Sequence, residues 1–290
     1  MIYAILLSLR PRQWIKNAFV FPALLFSQHL LDVEFVLRSA LAALCFCLLS
    51  SAVYLFNDVL DRERDRVHPI KSKRPIAAGR VSVNLALVVS VGLALASLTA
   101  GFAIEMHFGW TALVYLLMNA AYSVRLKHVV LLDVLIVAAG FLLRALGGAL
   151  AIGVFISTWF ILCTFMLALF LSLIKRRQEL VALEGDAHQH RAILAEYSLP
   201  FLDQIISVMT ASTLVCYALY AMGVGDQTGM GSRMQWTIPF VLYGILRYIY
   251  VVYHQGKGEN PTHVVWRDRP LQICGLLWIG ASVYGVYSVP

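Results

Sequence analysis

About nine apolar stretches, separated by short loops rich in Lys and Arg, leave this chain few folds to choose from. They fall near residues 17–31, 35–56, 83–103, 108–124, 129–152, 155–174, 203–223, 236–254 and 270–288. Most come close to the ~20 residues a helix needs to cross ~30 Å of hydrocarbon. With 290 residues, 60% of them hydrophobic and 13% charged, and a mean hydropathy of +0.76, the chain has far more apolar surface than a soluble domain can hide. The expected fold is therefore all-α: a polytopic transmembrane bundle of about nine spans, forming one integral membrane domain over residues 1–290. The first stretch is short and is expected to be tilted or partly interfacial.

A net charge of +7 raises nucleic acid as a partner, but the basic residues form no stripe on a soluble face. They sit in loops on one side of the spans: Arg10, Arg12 and Lys16, the run from Arg62 to Arg80, Arg125 and Lys127, Lys175 to Arg177 with Arg191, and Lys257, Arg267 and Arg269. The opposite ends carry Arg38 and Arg233. This is the positive-inside pattern, and it predicts a cytoplasmic N-terminus, an external C-terminus and no nucleic-acid partner. Met1 to Arg10 is apolar but short and runs into Arg-Pro-Arg-Gln-Trp rather than a cleavage site, so the first span is expected to serve as an uncleaved targeting element. Cys45, Cys47, Cys163, Cys216 and Cys274 lie inside apolar runs without zinc spacing and read as small hydrophobes.

The chemistry concentrates in the two largest inner loops, 57–80 and 175–200. Asn57-Asp58-Val59-Leu60-Asp61-Arg62-Glu63-Arg64-Asp65 follows the second apolar stretch directly. If the helix continues, Asn57, Asp61 and Asp65 recur at i, i+4 and i+8 and line one face. Three oxygen-bearing side chains in that register suit Mg2+, which prefers oxygen and shares itself with substrate phosphates. A solvated helix end with alternating charge is the plain alternative. It is disfavoured because these carboxylates abut a membrane span, where charge is costly and usually functional. The next residues, His68-Pro69-Ile70-Lys71-Ser72-Lys73-Arg74-Pro75-Ile76-Ala77-Ala78-Gly79, make a stiffened basic loop in which Lys71 and Arg74 suit phosphate oxygens.

Asn57-Asp58-x-x-Asp61-x-x-x-Asp65 followed by His68-Pro69-x-Lys71-x-x-Arg74-Pro75 resembles the first Asp-rich motif of the UbiA superfamily of membrane prenyltransferases. Tyr122 and Lys127 match a Tyr and a Lys on that superfamily's cytoplasmic cap, and the resemblance covers essentially the whole chain. Where typical members carry a second Asp-rich motif, this chain has Lys175-Arg176-Arg177-Gln178-Glu179. That block, together with Arg10-Pro11-Arg12-Gln13-Trp14-Ile15-Lys16-Asn17, resembles the superfamily's decaprenyl-phosphate phosphoribosyltransferase branch.

The resemblance implies a bacterial inner-membrane, multi-pass enzyme with its active site facing the cytoplasm. Its substrates would be phosphoribosyl pyrophosphate and a polyprenyl phosphate lipid, its metal Mg2+, and its product a cell-envelope polysaccharide precursor. Asp58, Asp61 and Asp65 would form the catalytic face, with Asn57, Asp61 and Asp65 as metal ligands. Lys71, Arg74, Tyr122 and Lys127 would bind phosphates of the donor. Lys16, Asn17, Lys175, Arg176 and Arg177 would receive a second phosphate, and Glu179 would orient the basic triplet or a ribose hydroxyl. The alternative is transfer of a polyprenyl chain from its diphosphate to an aromatic acceptor, for which the missing second acidic motif is a difficulty. A transporter or channel fits less well, because the charges gather at one face rather than along a midplane path. The sequence allows a homo-oligomer without specifying one.

Further polar residues weigh less. Asp133 and Arg247 lie in or near spans and are candidates by default. Arg144 is deeper and reads as a structural partner, with Gly140, Gly147 and Gly148 beside it allowing close helix packing. His188 and His190 read as solvated.

Overall fold

The computed structural model describes residues 1–182, 192–224, 234–254, 264–265 and 267–288, and all regular structure among them is helical. Arg191, Arg233 and Lys257, counted in the charge asymmetry, lie outside the described residues, as do His188 and His190. Among the described residues, seven helices are long and apolar enough to cross a membrane. The chain falls into two compact units, Met1–Ile156 and Ser157–Pro290.

The first unit contains α1 (Ile2–Ser8), a 3-10 segment (Pro11–Val20), α2 (Pro22–Phe26), α3 (Val33–Leu60), α4 (Arg62–Val67), α5 (Val83–Ile104), α6 (Met106–Val124) and α7 (Leu132–Ala151). Side-chain caps start α3, α5 and α6. Asp32 accepts from the Glu34 amide at 3.1 Å, Ser82 from Leu85 at 3.3 Å and Glu105 from Phe108 at 2.7 Å. Burial pushes the Glu105 carboxyl up, but the bonds from His107 and the Phe108 amide outweigh it and hold the group below its ordinary range.

The packing of this unit centres on α3, which touches α5, α6 and α7. Phe46 sits edge-on to Phe108 and Tyr115, with ring centroids 5.7 and 5.4 Å away. Gly147 and Gly148 allow α7 to come this close. A Cβ on Gly147 would lie 2.7 Å from the Phe46 ring, and one on Gly148 would lie 2.1 Å from the Val20 carbonyl oxygen.

The 17–31 stretch is not a continuous span. It is the end of the 3-10 segment followed by the five residues of α2. Pro11 and Pro22 each open one of these pieces, and a prolyl nitrogen has no hydrogen to donate to a helix already under way. α6 matches the 108–124 stretch in position but lies outside the seven, because His107, Asn119 and Ser123 dilute its apolar content.

The second unit contains α8 (Thr158–Ala182), a 3-10 turn (Ala192–Glu196), α9 (Leu199–Ala221), a 3-10 turn (Gln235–Thr237), α10 (Ile238–His254) and α11 (Arg269–Tyr287). α8 packs on α9, and α10 packs on α11. Ser198 and Asp268 cap α9 and α11. Tyr217 ties three elements together, meeting Thr237 Oγ1 at 2.5 Å and accepting from Trp278 Nε1 at 2.7 Å. α8 runs past the expected end at 174, so Lys175 to Glu179 are helical rather than part of a loop. All five cysteines are free thiols.

Candidate active site

The helix bearing the acidic motif changes direction at Asp61, whose φ of −90° and ψ of 2° separate α3 from α4. The i, i+4 spacing survives the break. The Asp61 amide donates to the Asn57 carbonyl at 2.9 Å, and the Asp65 amide donates to the Asp61 carbonyl at 2.8 Å. Asn57, Asp61 and Asp65 therefore follow one another at helical spacing, although the helix is not continuous.

Two linked groups form around this corner. In the first, Asn57 Nδ2 donates to Asp61 Oδ2 at 3.0 Å, while Lys127 Nζ donates to Asp61 Oδ1 at 2.6 Å and to Asn57 Oδ1 at 3.4 Å. Lys127 is buried, in a short 3-10 turn (Leu126–His128) directly after α6. In the second, Arg74 Nη1 donates to Asp65 Oδ2 at 2.6 Å and to Asp58 Oδ1 at 3.1 Å. Arg10 Nη2 meets that same Asp58 oxygen at 2.5 Å. Asp58 and Asp65 are buried, with side chains 2% and 5% exposed. Buried carboxylates demand partners, since an isolated buried charge is too costly to keep.

The loop that delivers Arg74 is anchored at both ends. His68 Nδ1 accepts from the amides of Ile70 and Lys71 at 3.1 and 3.3 Å. Arg80 Nη2 donates to the Lys73 carbonyl at 2.7 Å, and Gly79 takes the positive φ of 73° that the turn requires. Ile76 and Val81 then bury against Leu55 of α3. Lys71 in this loop and Tyr122 near the end of α6 are both partly buried.

The other candidates lie elsewhere. Lys16 is partly buried in the 3-10 segment, and Asn17 is buried beside it. Asn17 donates to Cys47 Sγ at 3.1 Å and accepts from Arg144 Nε at 2.7 Å. Arg144 also donates to Tyr115 Oη at 2.6 Å and to the Gly140 carbonyl at 2.8 Å, so it joins the 3-10 segment, α6 and α7. Asp133 is fully buried in the first turn of α7.

In the second unit, Glu179 meets Lys175 at 3.6 Å and Arg176 at 2.5 Å. Arg177 pairs with Asp203 of α9 at 2.5 Å and lies over the Tyr253 ring at 3.9 Å, while Tyr253 also donates to Asp203 at 2.6 Å. Arg247 of α10 pairs with Asp268, its Nη2 2.9 Å from Oδ2.

Sequence reasoning missed Arg10, Asp203 and Tyr253. In the sequence, Arg10 reads as a topology-setting charge and as part of the N-terminal block, with no partner indicated. Asp203, an acid at the start of an apolar stretch, was a signal within reach. Among the described residues, no three His, Cys, Asp or Glu side chains are gathered closely enough to hold a metal by themselves.

A set of long apolar helices, one of them ending in carboxylates paired with Arg and Lys, is the build of a polytopic membrane protein with a charged site at a helix end. The model of the UbiA prenyltransferase family matches residues 18–265, and the chain belongs to that family. The decaprenyl-phosphate phosphoribosyltransferase of Mycobacterium tuberculosis is 35% identical over 290 residues, spanning 98% of this chain and 95% of that one. The protein of the same name from Mycolicibacterium smegmatis is 34% identical over 301 residues, spanning 99% and 93%. A UbiA homolog from Archaeoglobus fulgidus, solved bound to GPP and Mg2+, shares the fold with a TM-score of 0.75 over 99% of this chain and 100% of that one, at 20% identity.

Proposed function

We propose that this transferase moves 5-phosphoribosyl from phosphoribosyl pyrophosphate to a polyprenyl phosphate of the decaprenyl type, releasing diphosphate. It does so as one integral domain in the bacterial cytoplasmic membrane, with its charged face toward the cytoplasm, and supplies a precursor for cell-envelope polysaccharide. The observation that carries this reading is the nearly end-to-end match to proteins named for that donor group and that acceptor.

The chemistry suits the residues. A lipid phosphate oxygen attacks the anomeric carbon while the bond from that carbon to the diphosphate oxygen breaks. The attacking oxygen is already anionic at neutral pH, so no general base is required. The protein must align two anions and stabilise the departing diphosphate. Arg74 and Lys127 lie within 2.6 Å of Asp65 and Asp61, so an incoming diphosphate meets cations already gathered beside the carboxylates. Lys71 and Tyr122 add donors from the neighbouring loop and from α6. Lys175, Arg176 and Arg177 receive the second phosphate, with Glu179 holding Lys175 and Arg176 in register, whereas Asn17 is buried with its amide committed to Cys47 and Arg144.

Asn57, Asp61 and Asp65 offer hard oxygen donors in an incomplete set, which fits a Mg2+ ion that keeps waters and shares substrate phosphates. Bound there, the ion would neutralise charge on the leaving diphosphate. Asp58, anchored by two arginines, supports that face from within the bundle.

The test is a transfer assay on purified protein in detergent, with polyprenyl phosphate, Mg2+ and phosphoribosyl pyrophosphate labelled in the ribose. Label should enter the lipid phase, and both EDTA and Asp61→Ala should stop it. Failure to label the lipid, with turnover of a prenyl diphosphate and an aromatic acid instead, would overturn the reading.

A further inference from the structure

Arg10 binds no substrate or metal in the roles above, yet the backbone is bent against its preference to deliver it. It joins α1 to the 3-10 segment in the left-handed region, with φ 53° and ψ 58°, a conformation that a side chain bearing Cβ resists. It also precedes Pro11, which steers its neighbour toward extended geometry. The segment around it is fastened to α3. The Arg10 carbonyl accepts from the Gln13 amide at 2.8 Å, and Ser51 Oγ donates to the Leu9 carbonyl at 2.9 Å. Trp14 Nε1 donates to Ser51 at 3.0 Å. The guanidinium then lies 4.9 Å from the centre of the Tyr54 ring and meets Asp58 at 2.5 Å.

Asp58 Oδ1 thus serves two cations, Arg10 and Arg74, while Arg74 also serves Asp65. Two arginines balance two buried carboxylates. We propose that Arg10 is a positioning residue. By neutralising Asp58 it leaves Arg74 available to Asp65 and to the donor's phosphates. This deepens the phosphoribosyl-transfer reading and rests on it for the identity of the donor. Without Arg10, Asp58 draws Arg74 to itself and the corner carries one surplus negative charge. Anionic donor then binds less tightly, whereas a divalent cation binds more tightly. General loosening of the site weakens both, so the opposite signs identify the role.

The experiment uses the full chain in detergent as wild type, Arg10→Ala and Arg10→Lys. Transfer kinetics are measured, and binding of Mn2+ without either substrate is followed by the paramagnetic resonance of the free ion. Arg10→Ala should raise the KM for phosphoribosyl pyrophosphate about tenfold, as expected for loss of a close charge partner. Its kcat should stay within about threefold, since the interaction lost is not confined to the transition state. Mn2+ should bind several-fold more tightly, and Arg10→Lys should restore most of both values. An unchanged KM overturns the proposal, as does weaker binding of both donor and Mn2+ that lysine does not rescue. If wild type transfers no label, the donor assignment fails separately. The Mn2+ measurement then decides the role of Arg10 alone, tighter binding in Arg10→Ala retaining it and unchanged or weaker binding removing it.

Discussion

At the end of α3 the carboxylates are deep and their partners come from far along the chain. Arg10 is 48 residues from Asp58, and Lys127 is 66 from Asp61. At the end of α8 the charges mostly pair with near neighbours, Lys175 with Glu179 at i+4 and Arg176 with Glu179 at i+3. A longer pair there, Arg177 with Asp203, spans 26 residues and leaves Asp203 40% exposed. A cluster of the first kind exists only when the bundle is folded, and it holds its groups in fixed relation before any ligand arrives. One of the second kind forms on a single helix; Arg176 is buried in it, but Lys175, 47% exposed, can leave for a ligand at little cost. Under the proposed function, the difference separates a preorganised reaction face from a receiving surface.

The largest effect should come from Arg74→Ala, which strands buried Asp65 and leaves Asp58 to Arg10 alone. Breaking a buried pair from one side costs about 3–5 kcal/mol, because the remaining charge stays buried without a partner. Thermal unfolding in detergent should show a loss of that order, and lipid labelling should fall by about 10³, the scale of a key transition-state donor. An unfolding temperature equal to wild type would contradict the contrast at its root, since it would mean that the two carboxylates do not depend on Arg74.

Much of this site was legible, and what was not has a physical cause. The spacing of Asn57, Asp61 and Asp65 carries into backbone hydrogen bonds across the corner, but their side chains divide: Asp61 joins Asn57 and Lys127, whereas Asp65 joins Asp58 through Arg74. Arg74 was legible as a phosphate-type base in a stiff loop, but its double hold on Asp58 and Asp65 was not. Arg10 reads as one more inner-side charge, because no local period encodes a contact across 48 residues. The 17–31 stretch was overcounted because hydropathy weighs side chains and ignores the amide hydrogen that Pro22 lacks. The opposite error occurred at α8. Its apolar stretch ends at 174, yet Lys175, Arg176, Arg177, Gln178, Glu179 and Leu180 are good helix formers and carry the helix on to Ala182.

A middle-sized effect is expected at Arg177→Ala, whose side chain reaches both α9 and α10. It removes the pair with Asp203 and the stacking on Tyr253, while Asp203 keeps the Tyr253 hydroxyl. The loss in stability should be about 1–2 kcal/mol, since the pair is partly exposed but reinforced by the ring. A loss as large as that of Arg74→Ala would make the two clusters alike in kind and remove the distinction drawn between them.

The smallest structural effect belongs to Lys175→Ala, and that makes it the sharpest test of the receiving surface. Its ammonium is 3.6 Å from Glu179, on an exposed part of the helix, with 47% of the side chain accessible. Such i, i+4 pairs contribute less than about 0.5 kcal/mol, so the unfolding temperature should barely move. A change in turnover therefore reports on substrate rather than on folding. If Lys175 helps receive a phosphate, KM for one of the two anionic substrates should rise by about fivefold, with a salt dependence shallower than wild type, as when one exposed charge is withdrawn from an electrostatic attraction. Which substrate responds assigns the phosphate. A variant with unaltered KM for both would make Lys175 a residue of membrane topology and leave Arg176 and Arg177 to carry the receiving role.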